Sequence, residues 1–589
     1  MIATPGQQDR AFTGSPYLHE LGLRLPATNP TSIPLATLEA FVKDCLGPAA
    51  QSDAGATVLA ALSYYAKQAE LYGALFPDAT ICATPQSPPE DISLPAAFVG
   101  QLSDQPVVLS VLDEGLPFLH KQTVAASGQS RCLAVWLQDA RARSGQTGQP
   151  PFGRYVHQTE IQTLLDADLH EEDGYRRIGA IDQLMPTPQR LLRQATHGSA
   201  VLGLAAGTAE DKHLLMGVNF PPTAVQDTSG TLLPFFILLG ICFSLQQSQR
   251  LAKQLKLAAP ARFADVSIPV VINLSYGVLA GPKNGSGILE NVMEQLSGMV
   301  PKSIPGITTI KFVLPMGNGR QSQTASRLAG QTRSLTLRLI PDDKTPSFVE
   351  VWADGDASET HSKADFMTLT SPHTNKDLLV PRIQFGTYEV LEFECGTKVR
   401  VYADQRQVGT KTRDLLLIAF PPTAGLERAQ LARPGDWLIN DISSAPSSVD
   451  VFVQRDEALE GLDSGGRQSR FIDESYRRYT VDGFWAMDDL ETPNCPVKRQ
   501  GTVSAFANAK KITRVGSNIE QTGELSVYSA MAFPDGKRSQ DGDKRKPVDQ
   551  SYNTSGLEVA GTRTCARQRL SGTSLAAPMV AADMCRRYK

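Results

Sequence analysis

The chain has 589 residues, 57 Lys and Arg against 61 Asp and Glu, a formal net charge of -4, and 41% hydrophobic and 20% charged residues. That length exceeds one ordinary core and predicts two to four domains, while the balance of residue types excludes disorder, collagen-like repeats and coiled coils. No basic excess draws the chain to phosphates or anionic lipid, so nucleic acid is not an expected partner.

From Met1 to Leu25 the chain carries Asp9, Arg10 and Glu20 but no uninterrupted apolar run behind a basic start, so no secretory leader is read there. Leu35, Leu38, Phe41, Val42, Cys45 and Leu46 recur at helical spacing, and a second helical pattern runs from about Val58 to Leu75. Residues 1–100 are expected to be mainly helical, as a regulatory or propeptide-like region, with Ala83 to Asp91 and its three prolines as a linker. Val107 to Leu112 then reads as a parallel strand covered on both faces, and the same character returns in Ile268–Leu274 and Ile310–Leu314 after helix-length intervals. This spells a parallel α/β sheet. The apolar run Leu232 to Leu245 is too short to span a membrane and carries Pro234, so it predicts a buried helix.

From about Ser334 the pattern turns to period two, in Leu335, Leu337 and Leu339, then Val349 and Val351, Val399 and Val401, and Val449, Val451 and Val453. Such alternation predicts an antiparallel β-sandwich, inserted rather than appended, because mixed patterns resume after a Gly- and Arg-rich loop. The expected boundaries are an α/β domain in two parts, 101–330 and 482–589, with the sandwich and its loop at 331–481. Ser539 to Lys546 reads as a solvated loop. The eight cysteines, Cys45, Cys82, Cys132, Cys242, Cys395, Cys495, Cys565 and Cys585, form no C-x-x-C pair or metal-ligand spacing. Free thiols in a reducing compartment fit best, with disulfides left open.

Five strings carry chemistry. Ser571-Gly-Thr-Ser574-Leu-Ala-Ala-Pro578 sets a serine among small residues at the start of a helical stretch, beside the positive end of a helix dipole. Thr196-His197-Gly198 opens another helical stretch, and Asp113 ends the strand Val107 to Leu112 just before Gly115, at the sheet edge where ligands of open α/β sheets bind. A serine nucleophile needs a histidine base that a carboxylate orients. Gly317-Asn318-Gly319 ends the strand at Ile310–Leu314, and Ser275-Tyr276-Gly277 ends the strand at Ile268–Leu274. Read singly, these strings are a helix cap, a strand-end turn and glycine turns.

In combination, and in the chain order Asp, His, Ser, the strings resemble the subtilisin-like serine proteases over about 101–330 and 482–589. The resemblance implies a serine endopeptidase with Asp113, His197 and Ser574 as catalytic triad, Asn318 in the oxyanion hole, and Ser275, Tyr276, Gly277 and Gly317 against the substrate. It also implies a polypeptide substrate and no required cofactor or metal, structural calcium being left open. The inserted sandwich resembles the jelly-roll insertions of some bacterial members, and a cytoplasmic, bacterial setting is expected without a membrane span; export by another route and the oligomeric state are left open. Glu114 stands where the family has a small hydroxyl residue, Ser199-Ala200 where it has Thr-His, and the chain stops about four helical turns past Ser574. The alternative reading is a catalytically silent scaffold of the same fold that binds extended peptides or assembles a complex.

Overall fold

The computed structural model describes residues 10–24, 33–66, 81, 94–143, 150–185, 187–226, 230, 232–299, 303–330, 333–362, 367–374, 376–408, 411–425, 431–441, 448–455, 466–490, 492–533 and 548–588. Its main elements begin with the helices α1 (Pro16–Arg24), α2 (Leu35–Leu46) and α3 (Asp53–Tyr65). The strands β1 (Val108–Asp113), β2 (Cys132–Leu137) and β3 (Arg154–His157) follow, then helix α4 (His197–Ala206), β4 (Leu214–Asn219), α5 (Leu233–Ala258), β5 (Ile268–Leu274), α6 (Ile288–Ser297) and β6 (Ile307–Pro315). Next come β7 (Ala325–Leu328), β8 (Ser334–Leu339), β9 (Ser347–Asp354), β10 (Met367–Thr370), β11 (Asp377–Leu379) and β12 (Thr387–Glu392). After these run β13 (Lys398–Val408), β14 (Lys411–Phe420), β15 (Gly435–Asp441), β16 (Val449–Arg455), β17 (Arg470–Ile472) and β18 (Val497–Lys498). The chain closes with β19 (Thr513–Asn518), β20 (Gln550–Asn553), the hairpin β21 (Leu557–Ala560) and β22 (Arg567–Leu570), and helix α7 (Thr573–Arg586).

The apolar strands assemble into one sheet in the order β20-β19-β6-β5-β1-β4-β2-β3, parallel throughout except for β3 at the edge. Every residue of β1 is buried, and its alternation divides the cores. Val108 and Leu112 face one core with α2, α3 and α5, whereas Leu109 and Val111 face the other with α4 and α7. A strand whose two faces are both covered has no place for charge except at its end, and Asp113 is at the end. Because β1 lies between β4 and β5, the carboxyl ends of these neighbours also converge there: Asn219 is paired with Asp113, and Leu274 with Leu112.

The run at Leu232–Leu245 is, as expected, buried helix, and α5 extends it to Ala258. A helix apolar on all sides needs cover on the side away from the sheet. Helices α2 and α3 supply it, with Leu38, Val42, Leu46, Val58 and Leu62 fully buried in the same core as the sheet. Helices α2 and α3 are therefore part of the α/β body. Helix α3 ends at Tyr65, and the rest of the pattern read to Leu75 lies outside the described residues, as do the linker at Ala83–Asp91 and the loop at Ser539–Lys546.

Between β6 and β19 the chain builds two antiparallel sheets, β11-β10-β15-β8-β17 and β12-β13-β14-β9-β16-β7-β18. Their facing sides share one core, with Leu335, Leu337, Trp437 and Ile439 from the first and Val349, Val351, Val401, Ile418 and Val451 from the second. The sheets take in Ala325–Leu328 and Val497–Lys498, which lie outside the span 331–481 expected from the alternation. Helix α1 docks on the outer face of the second sheet, where Glu20 accepts from Tyr402 Oη at 2.6 Å and pairs with Arg400 at 3.1 Å. Among the described residues no helix is long and apolar enough to cross a membrane, and the seven described cysteines are free.

Candidate active site

Asp113 is fully buried and His197 lies beside it, its Nδ1 2.9 and 3.0 Å from the two carboxylate oxygens. Asp113 Oδ1 also accepts the Glu114 backbone N–H at 2.8 Å, which fixes the carboxylate's rotation. The imidazole is held by the start of α4. Thr196 Oγ1 accepts from the Ser199 N–H at 2.9 Å while Ser199 Oγ accepts from the Thr196 N–H at 3.1 Å, a reciprocal cap that sets the helix's first turn. Ser199 thus has a local role. Gly198 lets this turn touch β1: its N–H donates to Glu114 O at 3.1 Å, and a Cβ there would lie 2.0 Å from that oxygen. Burial pushes the imidazole pKa down, but the charge and hydrogen bond of Asp113 and the charge of Glu114 raise it above the ordinary histidine value.

The Ser574 end is built around a proline and a glycine. Pro578 lies four residues past Ser574 and has no N–H to give, so the Ser574 carbonyl lacks its helical partner. Ser275 Oγ donates to that carbonyl instead, at 2.9 Å, and itself accepts from Asn273 Nδ2 at 3.0 Å. Gly572, at φ +154°, precedes the helix. A Cβ there would sit 3.2 Å from Asn318 Nδ2 and 3.4 Å from Ser574 Oγ, so only glycine leaves the space between those two atoms open. Asn318 is oriented by its Oδ1, which accepts from Thr573 N at 2.9 Å and Thr573 Oγ1 at 3.1 Å, turning Nδ2 toward that space. Gly317 completes the clamp by donating its N–H to Thr573 Oγ1 at 3.1 Å.

The structure thus brings Asp113 to His197, and Ser574 to Asn318, Gly317 and Ser275. Helices α4 and α7 pack against each other, and their first turns stand at the same edge of the sheet. Tyr276 lies over the histidine, ring centroids 4.9 Å apart, and Gly277 follows it exposed on the rim. Burial, with the Asp113 and Glu114 charges behind it, pushes the Tyr276 phenol well above its ordinary pKa, and its hydroxyl meets the Glu114 carboxylate.

Sequence reasoning passed over what surrounds these groups. Arg190 Nε lies 2.8 Å from Glu114 Oε2. Burial raises the Glu114 pKa against the pull of Arg190. Asp139, half-buried and raised to about 7 mainly by desolvation, accepts from Asn219 Nδ2 at 3.4 Å, and Asn219 Oδ1 in turn accepts the Leu116 N–H at 3.0 Å. Only the proximity of Glu114 to Asp113 in the chain could have flagged this cluster; Arg190 and Asp139 carry no local signal. Among the described residues no three His, Cys, Asp or Glu side chains gather as a metal site would require.

No protein-family model matches the chain, and no curated protein matches it in sequence. A solved structure does. The CspB protease of Clostridium perfringens superposes with a TM-score of 0.54 over 82% of this chain and 84% of its own, at 15% identity. This chain shares the fold of a protease. At that identity the likeness concerns the fold, and what the groups at the β1, β5 and β6 edge do rests on their geometry.

Proposed function

We propose that the chain is a subtilisin-like serine endopeptidase with Asp113, His197 and Ser574 as its catalytic triad. The observation that carries this reading is the Asp113 carboxylate clasping His197 Nδ1 from a fully buried strand end, which leaves Nε2 as the acceptor. His197 takes the Ser574 proton as the serine oxygen attacks the scissile carbonyl, and Asp113 holds the tautomer and stabilises the imidazolium. The oxyanion forms in the space that Gly572 keeps open, with the Asn318 amide and the Ser574 N–H at the helix start as donors. The imidazolium then gives its proton to the leaving amine, and water repeats the cycle on the acyl-enzyme. The substrate lies along Ser275, Tyr276 and Gly277, pairing through its main chain. The inserted sandwich, read as a jelly roll, braces this edge through the contacts of Glu350 with the loop after β5.

Labelling of the folded chain with a fluorophosphonate probe tests the reading. Native protein should label, and both Ser574→Ala and His197→Ala should abolish it. A folded native chain that neither labels nor cleaves a denatured polypeptide would move the assignment to a silent peptide-binding scaffold.

A further inference from the structure

Five large apolar side chains exposed at the surface fall in one short stretch: Tyr479 at 49%, Val481 at 97%, Phe484 at 74%, Trp485 at 42% and Leu490 at 81%. The stretch is a braced hairpin. Tyr479 bridges Trp485 antiparallel with the two rings 4.7 Å apart, the Thr480 N–H donates to Phe484 O at 2.8 Å, and the Gly483 N–H donates to Thr480 O at 3.0 Å. Its base is fastened by the buried Arg499, which pairs with Asp489 at 3.0 Å, reaches the Arg477 carbonyl and lies 4.5 Å over the Tyr476 ring. Apolar groups held out to water by a rigid support contribute little to folding, and clusters of them mark contact sites.

The location says what is contacted. Gln321 Nε2 donates to Ala486 O at 2.8 Å, Tyr476 Oη donates to Gln321 Oε1 at 3.1 Å, and Arg320 Nη1 lies 3.8 Å from Met487 Sδ. Gln321 follows Asn318 by three residues, so their Cα atoms are no more than about 11 Å apart. An extended peptide advances about 3.3 Å per residue, so side chains a few positions from the scissile bond reach this surface. Exposed Arg477 and Arg478 stand against exposed Glu474, Asp482 and Asp488, which leaves the patch close to neutral and favours apolar over charged side chains.

We infer that the Tyr479–Leu490 hairpin is an exosite that holds apolar side chains of an extended polypeptide substrate a few residues from the scissile bond. The inference rests on the endopeptidase reading. Trp485 reports on it directly, because Trp136, Trp352 and Trp437 are fully buried. Full-length protein carrying Ser574→Ala is titrated with a reduced, carboxymethylated polypeptide while tryptophan emission is followed. A saturable blue shift is expected, and binding at least about tenfold weaker when Val481→Ser, Phe484→Ser and Leu490→Ser are added, with Phe484→Ser alone as a milder variant. With Ser574 intact, the same changes should lower kcat/KM about tenfold on the polypeptide and less than twofold on a four-residue peptide too short to reach the hairpin.

No shift, or an equal fall on both substrates, overturns the inference. A variant that sediments as monomer where the native chain is dimeric also overturns it, assigning the hairpin to a second copy. If the native chain binds with the shift yet neither labels nor cleaves, the endopeptidase reading fails and the polypeptide surface stands; cleavage with an unchanged substrate ratio fails the exosite alone.

Discussion

In the α/β body the buried Asp113 carboxylate turns both oxygens to His197 Nδ1, at 2.9 and 3.0 Å. In the sandwich the equally buried Glu350 accepts from Tyr17 Oη at 2.8 Å, Gly281 N at 2.9 Å and Trp352 Nε1 at 3.0 Å. The partner of Asp113 is a titratable ring whose side chain is 29% exposed, whereas Glu350 joins neutral donors from α1, from the loop after β5 and from its own strand. Lys283, pushed down to about 8 by burial against the pull of Glu350, lies in the same interior, its ammonium 4.3 Å from the Phe452 ring centroid. A buried carboxylate therefore indicates chemistry when its partner can take a proton from a substrate-side group, and architecture when its partners only fill its lone pairs.

The largest expected effect is on the first carboxylate. Asp113→Asn keeps the shape but no longer favours the productive tautomer, so kcat should fall about 10⁴-fold. Its thermal midpoint should move little by comparison, and unfolding of the variant under assay conditions would break the distinction. Asn318→Ala should lower kcat about 10²- to 10³-fold with KM nearly unchanged, since in the proposed mechanism its amide meets a charge that exists only during reaction. Glu350→Ala should reverse the pattern. It strands the Tyr17, Gly281 and Trp352 donors at about 1–3 kcal/mol each at most, not additively, and should lower the urea midpoint far more than it lowers kcat. Turnover lost with the midpoint intact would mean that Glu350 acts on the cleft and not on the join.

Glu114→Gln should be milder and visible mainly in pH dependence. The Glu114 charge helps raise the His197 pKa, and in the proposed mechanism the base is the neutral imidazole. Removing the charge lowers that pKa, so the acid limb of kcat/KM against pH should move to lower pH. An unmoved limb would mean that Arg190 already cancels Glu114 at the imidazole.

What the sequence made legible was local. Mostly apolar runs found β1, β5 and β6, and the polar residues at or soon after their ends found Asp113, Ser275 and Asn318, where the chain leaves the core. His197 and Ser574 were legible as helix starts among small residues. Long-range joins left no trace: Glu350 meets Tyr17 across 333 positions, and no local pattern around Arg499 announces its pairing with Asp489. The helical period showed α2 but not that α5, apolar on every side in its first half, needed it as cover. Nor did alternation mark β7 and β18, which are too short to show a period.

The smallest effect is expected at the far end of α7. Burial raises the Asp211 carboxyl, but two hydrogen bonds from Arg586, at 2.6 and 2.8 Å, and one from the Thr208 N–H hold it well below the usual carboxylate range. A depressed carboxylate stabilises the fold above its unfolded pKa, near 3.9, and that contribution is lost as pH falls through the folded value. Asp211→Asn should therefore cost about 1 kcal/mol at pH 7, little because Arg586 is 43% exposed, and the gap from native protein should begin to narrow below about pH 4. Urea midpoints at pH 7 and pH 3 measure it. Turnover at pH 7 should not change, since Ser574 is held at the other end of the helix by Ser275 and Thr573. A matching loss of turnover would show that the helix moves as a rigid lever, and that stability and chemistry are not separated in the α/β body as they are between Asp113 and Glu350.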